Sequence, residues 1–210
     1  MKKRILILTA GFGEGHNSAA RGVRDGLARV ASDQTTVELR DLFAEAYGPV
    51  NEVVRRSYLA LLNSAPRAWG VVYRWLDRKT DYNTEFRRLT RLKAQFAPLL
   101  DRFQPDIVVC SFPAYANVLQ EILGAERVCK CVVVVTDSIT INASWYRSPA
   151  DYFLVANEQS AGGLRSYGVG HQNIRAVRFP AMQKFADSRD GRPFTAHTPR
   201  RGAVFPVSHT

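Results

Sequence analysis

Apolar positions in this chain follow two rhythms that alternate along its length. Short, nearly unbroken apolar or β-branched runs occur at Ile5 to Leu8, Thr35 to Leu42, Asp106 to Cys110, Lys130 to Thr136, Asp151 to Ala156 and Asn173 to Arg178. Runs of that length and composition predict strands buried on both faces of a parallel sheet. Between most of them the apolar residues recur three and four apart, which predicts helices at Asn17 to Val30, about Tyr115 to Leu123, and Glu158 to Tyr167, where Gly168 ends the pattern. Strand and helix in alternation argue for an α/β fold, a doubly wound, Rossmann-like parallel sheet joined by right-handed crossovers.

One connection is too long for a simple crossover. Residues 43–103 keep a helical pattern punctuated by Pro49, Pro66 and the polar stretch KTDYN, so a helical insertion is predicted there. Its last element sets Phe86, Leu89, Leu92, Phe96, Leu99, Leu100 and Phe103 on one stripe and leaves Arg87, Arg88 and Arg91 off it, the pattern of a helix packed on a core. The upstream part interleaves Arg55, Arg56, Arg67, Arg74, Arg78 and Lys79 with Tyr58, Trp69, Tyr73 and Trp75. Cationic and aromatic side chains mixed in this way suit the boundary between water and lipid head groups.

Composition narrows the classes. At 210 residues the chain is the size of one domain, and a hydrophobic share of 46% with mean hydropathy −0.20 describes a globular protein. No apolar stretch approaches the ~20 residues that span a bilayer, and the apolar run of MKKRILIL is too short for a signal peptide and serves better as a first strand. A formal charge of +10 favours an anionic partner. Each basic residue held near an anionic bilayer contributes about 1 kcal/mol, enough for several together to dock reversibly. Nucleic acid would use the same charge, but no nucleic-acid motif is present and the basic residues alternate with large apolar ones, so a lipid surface is the expected partner. Cys110, Cys129 and Cys131 lie in or beside valine-rich strands and read as buried hydrophobes of a reducing cytoplasm. With 4 scattered histidines, no metal site is expected.

The densest chemistry lies in RILILTAGFGEGHNSAARG, where the first strand meets a glycine-rich turn. Gly11, Gly13 and Gly15 permit a tight turn and close approach of backbone to a ligand, Asn17 or Ser18 can cap the following helix, and Ala19 and Ala20 let that helix lie against the sheet. His16 is thereby placed near a helix N-terminus at the carboxyl edge of the sheet, where ligands of open α/β folds bind. No Walker lysine closes the turn, and GxGxG is not the dinucleotide spacing. Spacing alone leaves open whether this is a binding loop with a reactive imidazole or a plain turn with a surface histidine.

Three segments in succession carry a resemblance: LTAGFGEGHNSAA, then VVVVTDSITINASWYRSPADYFLVANE, then RFPAMQKF. Over about residues 4 to 185 the chain resembles the monogalactosyldiacylglycerol synthase and processive diacylglycerol glucosyltransferase family, which is related to the peptidoglycan glycosyltransferase that makes lipid II. The resemblance implies the amino-terminal half of a GT-B glycosyltransferase, the half that receives the lipid acceptor. It implies a domain at 1–185 that helps transfer a hexose from a nucleotide sugar to diacylglycerol, a linker or disordered tail at 186–210, and no donor domain. Transfer would then need a donor domain, for which a separately encoded subunit is one source, but no cofactor. The expected location is cytoplasmic, peripheral on the inner face of the cell membrane.

The resemblance also assigns roles. His16 matches the histidine that serves as general base, and Asp137, ending the valine-rich strand, matches the family's TD motif, where it would orient His16, accept the proton itself, or merely cap a turn. Trp145 keeps the family position and would contact acceptor or lipid, or simply pack. Asn142 departs from the pattern, since many relatives have a histidine three residues before the tryptophan and an asparagine is no base. Arg178 stands where glycine is common, and Ala181 follows the proline. Two other readings remain at this level: a non-catalytic peripheral lipid-binding protein with the same fold, and a generic α/β domain whose glycine loop holds a small anion.

Overall fold

Sheet topology decides where a site can form. The computed structural model describes residues 1–64, 89–124, 127–137 and 141–177, without the side chains of Tyr58, Leu59, Leu61, Leu62 and Asn63. Strands β1 (Lys3–Leu8), β2 (Thr35–Arg40), β3 (Ile107–Cys110), β4 (Lys130–Val134), β5 (Tyr152–Val155) and β6 (Ile174–Ala176) form one sheet in the order β2-β1-β3-β4-β5-β6. Every pairing is parallel, with Ile5 opposite Val37 on one side and Ile107 on the other. The chain moves outward from β1 to β2 and then crosses back over β1 to β3, so the order reverses between β1 and β3. In open α/β sheets a crevice forms at that reversal, outside the carboxyl ends of the strands.

Period-two alternation feeds two cores. Ile5, Ile7, Val109 and Val134 face Ala19 and Ala20 of α1 (Glu14–Val30), whose small side chains let the helix lie close to the sheet. Leu6, Leu8, Val108, Cys110, Cys131 and Val133 point the other way. They meet residues of α2 (Leu42–Ser64), α3 (Thr90–Phe103), α4 (Ala114–Leu123), α5 (Ala143–Tyr146) and α6 (Glu158–Ser166). Each large side chain removed from water contributes about 1.5–3 kcal/mol, so these alternating rows carry the fold. The doubly wound prediction is borne out, as is the burial of all three cysteines, which are free thiols.

Boundaries differ at instructive places. α1 starts at Glu14 rather than Asn17, because Gly13 takes the N-cap position with extended backbone and no side chain caps the helix. Asn17 is used elsewhere: its amide oxygen accepts the Thr9 hydroxyl at 2.9 Å, tying the first helix to the end of β1. Within the insertion, α2 breaks at Gly48, whose φ of 49° suits glycine alone without strain, and Pro49 restarts the helix. Leu92, Phe96, Leu99, Leu100 and Phe103 of the predicted stripe are buried, and Leu89 packs against them. Phe86, Arg87 and Arg88 lie outside the described residues, with Arg67, Trp69, Tyr73, Arg74, Trp75, Arg78 and Lys79, and so do the third matching segment and the tail at 186–210. α5 was not legible in the pattern; one turn long, it has no period to read.

Candidate active site at the carboxyl edge of the sheet

Three neighbouring strands deliver their ends to one place. The β1–β3 ladder runs one residue past β3, where the Ser111 amide donates to the Leu8 carbonyl at 2.9 Å, and the fully buried Ser111 hydroxyl donates to the same oxygen. That leaves the Ser111 carbonyl to accept from the imidazole Nδ1 of His16 at 2.6 Å. The Val135 amide likewise extends the β4–β5 ladder, setting Thr136 and Asp137 immediately beyond it. The Thr136 hydroxyl lies 3.1 Å from the same Nδ1. His16 therefore sits at the reversal of strand order, held by residues 95 and 120 positions away.

The hydrogen bond to Ser111 sets the tautomer. A carbonyl oxygen only accepts, so Nδ1 carries the proton and the neutral ring keeps its lone pair on Nε2. Burial lowers the His16 pKa from 6.5, against smaller opposing effects of the Ser111 hydrogen bond and the Asp137 charge. Lying in the first turn of α1, the ring also meets the positive end of the helix dipole, which disfavours its charged form. The half-buried imidazole is thus neutral near pH 7, a proton acceptor at Nε2.

Asp137 does not orient the ring by a hydrogen bond; Ser111 and Thr136 do that. Its Oδ2 accepts the indole N–H of Trp145 at 2.9 Å, and it acts on His16 through charge. Burial raises the Asp137 pKa above 3.8, against the Trp145 hydrogen bond, the His16 charge and the Asn142 amide, in that order. Trp145 is 3% exposed, which places its ring in the protein interior rather than on a lipid-facing surface. Its ring and that of Phe112 lie beside the imidazole, with centroids 6.0 and 5.3 Å away. Asn142 caps α5, its side chain accepting the Ser144 amide at 2.9 Å, a role asparagine fills well.

The glycine loop divides by function. Gly11 donates its amide to Asp41 Oδ2 at 2.9 Å, and a Cβ there would stand 3.3 Å from that oxygen, so the close approach at this position is to the protein itself. Among the described residues a Cβ at Gly13 or Gly15 would meet nothing within 4 Å, so those residues leave the space in front of α1 open. Asp41 also accepts the Ala44 amide and so ties the loop to the start of α2. Burial raises the Asp41 pKa despite its amide donors.

Several partners were invisible to sequence reasoning. The fully buried Tyr115 hydroxyl donates to the Thr9 carbonyl at 2.7 Å and accepts the Phe43 amide at 3.3 Å, joining β1, α2 and α4 beneath the site. Phe12, Phe43 and Phe112 pack mutually at 5.4 to 5.6 Å, an aromatic wall beside His16. An aromatic residue placed directly after a strand end, as Phe112 is, was the available signal.

The membrane-facing candidates separate. Arg55 is half-buried, with its Cδ 3.7 Å from a Cβ built on Gly11, so it leans on the loop rather than standing clear of the protein. Arg56 is exposed, and both arginines pair with Glu52. Exposed Val50, Val53 and Val54 share its stretch of α2. The Tyr58 side chain, Trp69, Tyr73 and Trp75 lie outside the described residues. Among the described residues no helix is long and apolar enough to cross a membrane, and no cluster of histidine, cysteine and carboxylate side chains could hold a metal ion. A cavity of about 150 Å³ lies at the opposite edge, between Gln104, Leu123 and Arg127. Cys129 lines it, and burial raises the pKa of that thiol.

Comparison with known proteins identifies the family. The family model described as monogalactosyldiacylglycerol (MGDG) synthase matches residues 16–180, beginning at His16. The chain is 26% identical over 189 residues to processive diacylglycerol β-glucosyltransferase of Bacillus subtilis (strain 168), covering 89% of this chain and 48% of that protein. It is 25% identical over 191 residues to chloroplastic monogalactosyldiacylglycerol synthase of Spinacia oleracea, covering 89% of this chain and 36% of that protein. A probable chloroplastic monogalactosyldiacylglycerol synthase of Glycine max is 28% identical over 188 residues, covering 87% and 35%. The chain thus spans about half the length of the Bacillus relative and about a third of the plant ones. With the family model matched over most of its length, the chain belongs to the monogalactosyldiacylglycerol synthase family.

Proposed function

We propose that this chain forms the acceptor-binding part of a glycosyltransferase that moves a hexose from a nucleotide sugar to the hydroxyl of diacylglycerol, with His16 as general base. The observation that carries this reading is the 2.6 Å bond from His16 Nδ1 to the Ser111 carbonyl, which leaves a basic Nε2 in a ring that burial keeps neutral. The acceptor hydroxyl gives its proton to Nε2 as its oxygen attacks the sugar, and the nucleoside diphosphate leaves with the bonding electrons. Asp137 offsets the positive charge that forms on the ring. The open space before Gly13 and Gly15 and the aromatic wall beside His16 supply, in turn, room for polar groups and an apolar flank for lipid.

The nucleotide sugar is held mainly by a donor domain, in the same chain or on a partner subunit. Exposed Val50, Val53, Val54 and Arg56 give α2 an apolar and cationic surface for peripheral contact with a bilayer. The same surface favours the second reading, a lipid-binding protein without chemistry. A fusion of this chain to the carboxyl-terminal half of the Bacillus relative, incubated with diacylglycerol vesicles and nucleotide hexoses, decides between them. Glycolipid formation that His16→Ala removes supports catalysis. Equal formation by the His16→Ala fusion takes the base away from His16, and vesicle binding without product by a folded fusion that retains nucleotide-sugar binding supports the second reading.

A further inference from the structure

We propose that Trp145 is a positioning residue: by donating its indole N–H to Asp137 while its ring flanks His16, it fixes where the carboxylate charge stands relative to the imidazolium that forms during transfer. This rests on the reading of His16 as general base. Three observations carry it. The indole nitrogen lies 2.9 Å from Asp137 Oδ2, its ring centroid lies 6.0 Å from that of His16, and the side chain is 3% exposed, so one rigid group touches both partners. Asp137 lies three residues beyond the end of β4, outside the ladder, and its carboxylate is held by the indole and, more weakly, by the Asn142 amide.

The indole is itself held. Asn142 caps α5 through the Ser144 amide, the Trp145 amide donates to the Asn142 carbonyl at 3.0 Å, and the Ser148 hydroxyl returns to the Ser144 carbonyl at 2.7 Å. An indole is suited to this task, since its N–H is a donor only and cannot compete with the carboxylate for the imidazole proton. The charges that act on His16 and Asp137 are each other's. Trp145 therefore acts through Asp137, and a positioning role differs from mere packing in one measurable respect: it links the indole to the charge state of the pair.

The ¹⁵N–¹H signal of the Trp145 indole, followed through pH 3 to 8 in the unaltered chain, tests this. The signal is identified by its loss in Trp145→Phe, or by eliminating Trp69→Phe and Trp75→Phe if that variant does not fold. The expected result is a signal that moves with Asp137 in acid and again, through the neighbouring ring, with His16, and that loses the Asp137 step in Asp137→Asn. In Trp145→Phe, which keeps an apolar ring in the core, the His16 titration is expected to shift to lower pH, in the direction that Asp137→Asn also shifts it. An indole signal without the Asp137 step overturns the proposal, as does a folded Trp145→Phe whose His16 titrates as in the unaltered chain while Asp137→Asn shifts it. Either failure leaves the His16→Ala transfer assay untouched, so it is distinct from failure of the general-base reading.

Discussion

The two edges of the one sheet treat their carboxylates in opposite ways. At the amino edge, Asp106 accepts the Arg4 amide and pairs with Lys3, and these contacts lower its pKa. Asp151 is partly buried, which pushes its pKa up, but the Cys131 amide, Lys130 and Arg127 outweigh that and leave it below 3.8. At the carboxyl edge, Asp41 and Asp137 are more deeply placed, burial dominates, and both pKa values are raised. The same side chain joins strands together on one edge and remains chemically poised on the other. Satisfied charges hold strands together at one edge, and at the other a carboxylate whose pKa burial raises stands beside a neutral histidine at a topological reversal, the setting in which ligand chemistry is sought.

The largest effect belongs to the carboxyl edge. His16→Ala should lower transfer by the fused enzyme about 10²- to 10⁴-fold, the range for loss of a general base, with the circular dichroism of the fold unchanged. Asp151→Ala should do the reverse, leaving the His16 titration alone but costing about 2–3 kcal/mol in urea unfolding at pH 7, because it leaves the Cys131 amide without its acceptor and Arg127 without its carboxylate. The sign with pH follows from the lowered pKa of Asp151: its contribution is present above the unfolded value of 3.8 and fades as pH falls through the folded one, so the difference between the two proteins should shrink in acid.

Tyr115→Phe sharpens the contrast from beneath the site. It removes the hydroxyl that satisfies both the Thr9 carbonyl and the Phe43 amide, and about 1–2 kcal/mol should be lost in the same measurement. Gly15→Ala should gain about 0.5–1 kcal/mol, because Gly15 is a helical residue and no described residue comes within 4 Å of the added Cβ. A loss of lipid binding alongside that gain would identify the space as a ligand's. The smallest effect is a matter of pH. The raised Asp137 pKa favours folding below 3.8 and forfeits that advantage as pH rises through the folded value, so Asp137→Asn should raise the melting temperature relative to the unaltered chain more at pH 7 than at pH 3.5.

What could be read in the sequence was what repeats locally. Val108, Val109, Cys131 and Val133 announce strands because a sheet covered on both faces buries nearly every residue of the run, and the stripe from Leu92 to Phe103 announces its helix because its buried residues recur three and four apart. His16 and Asp137 were legible because a strand end followed by a glycine turn or an isolated acid defines a sheet edge without reference to distant residues. Ser111, Thr136 and Tyr115 were not, since their roles depend on strand order and on backbone carbonyls that no side-chain pattern encodes. The start of α1 was missed because Gly13, not a polar side chain, occupies the cap, and Asn17 turned to Thr9 instead. Arg55 looked like a surface cation in a basic helix, yet the return of α2 over the glycine loop makes it part of the protein's own packing.

The imidazole itself supplies the most direct test. ¹⁵N chemical shifts of His16, assigned by comparison with His16→Gln and followed through pH 4 to 9, report which ring nitrogen holds the proton and where the ring titrates. The expected result is a proton on Nδ1, a bare Nε2 at pH 7 and a titration below 6.5. A ring protonated on Nε2, or one still charged at pH 7, would contradict it.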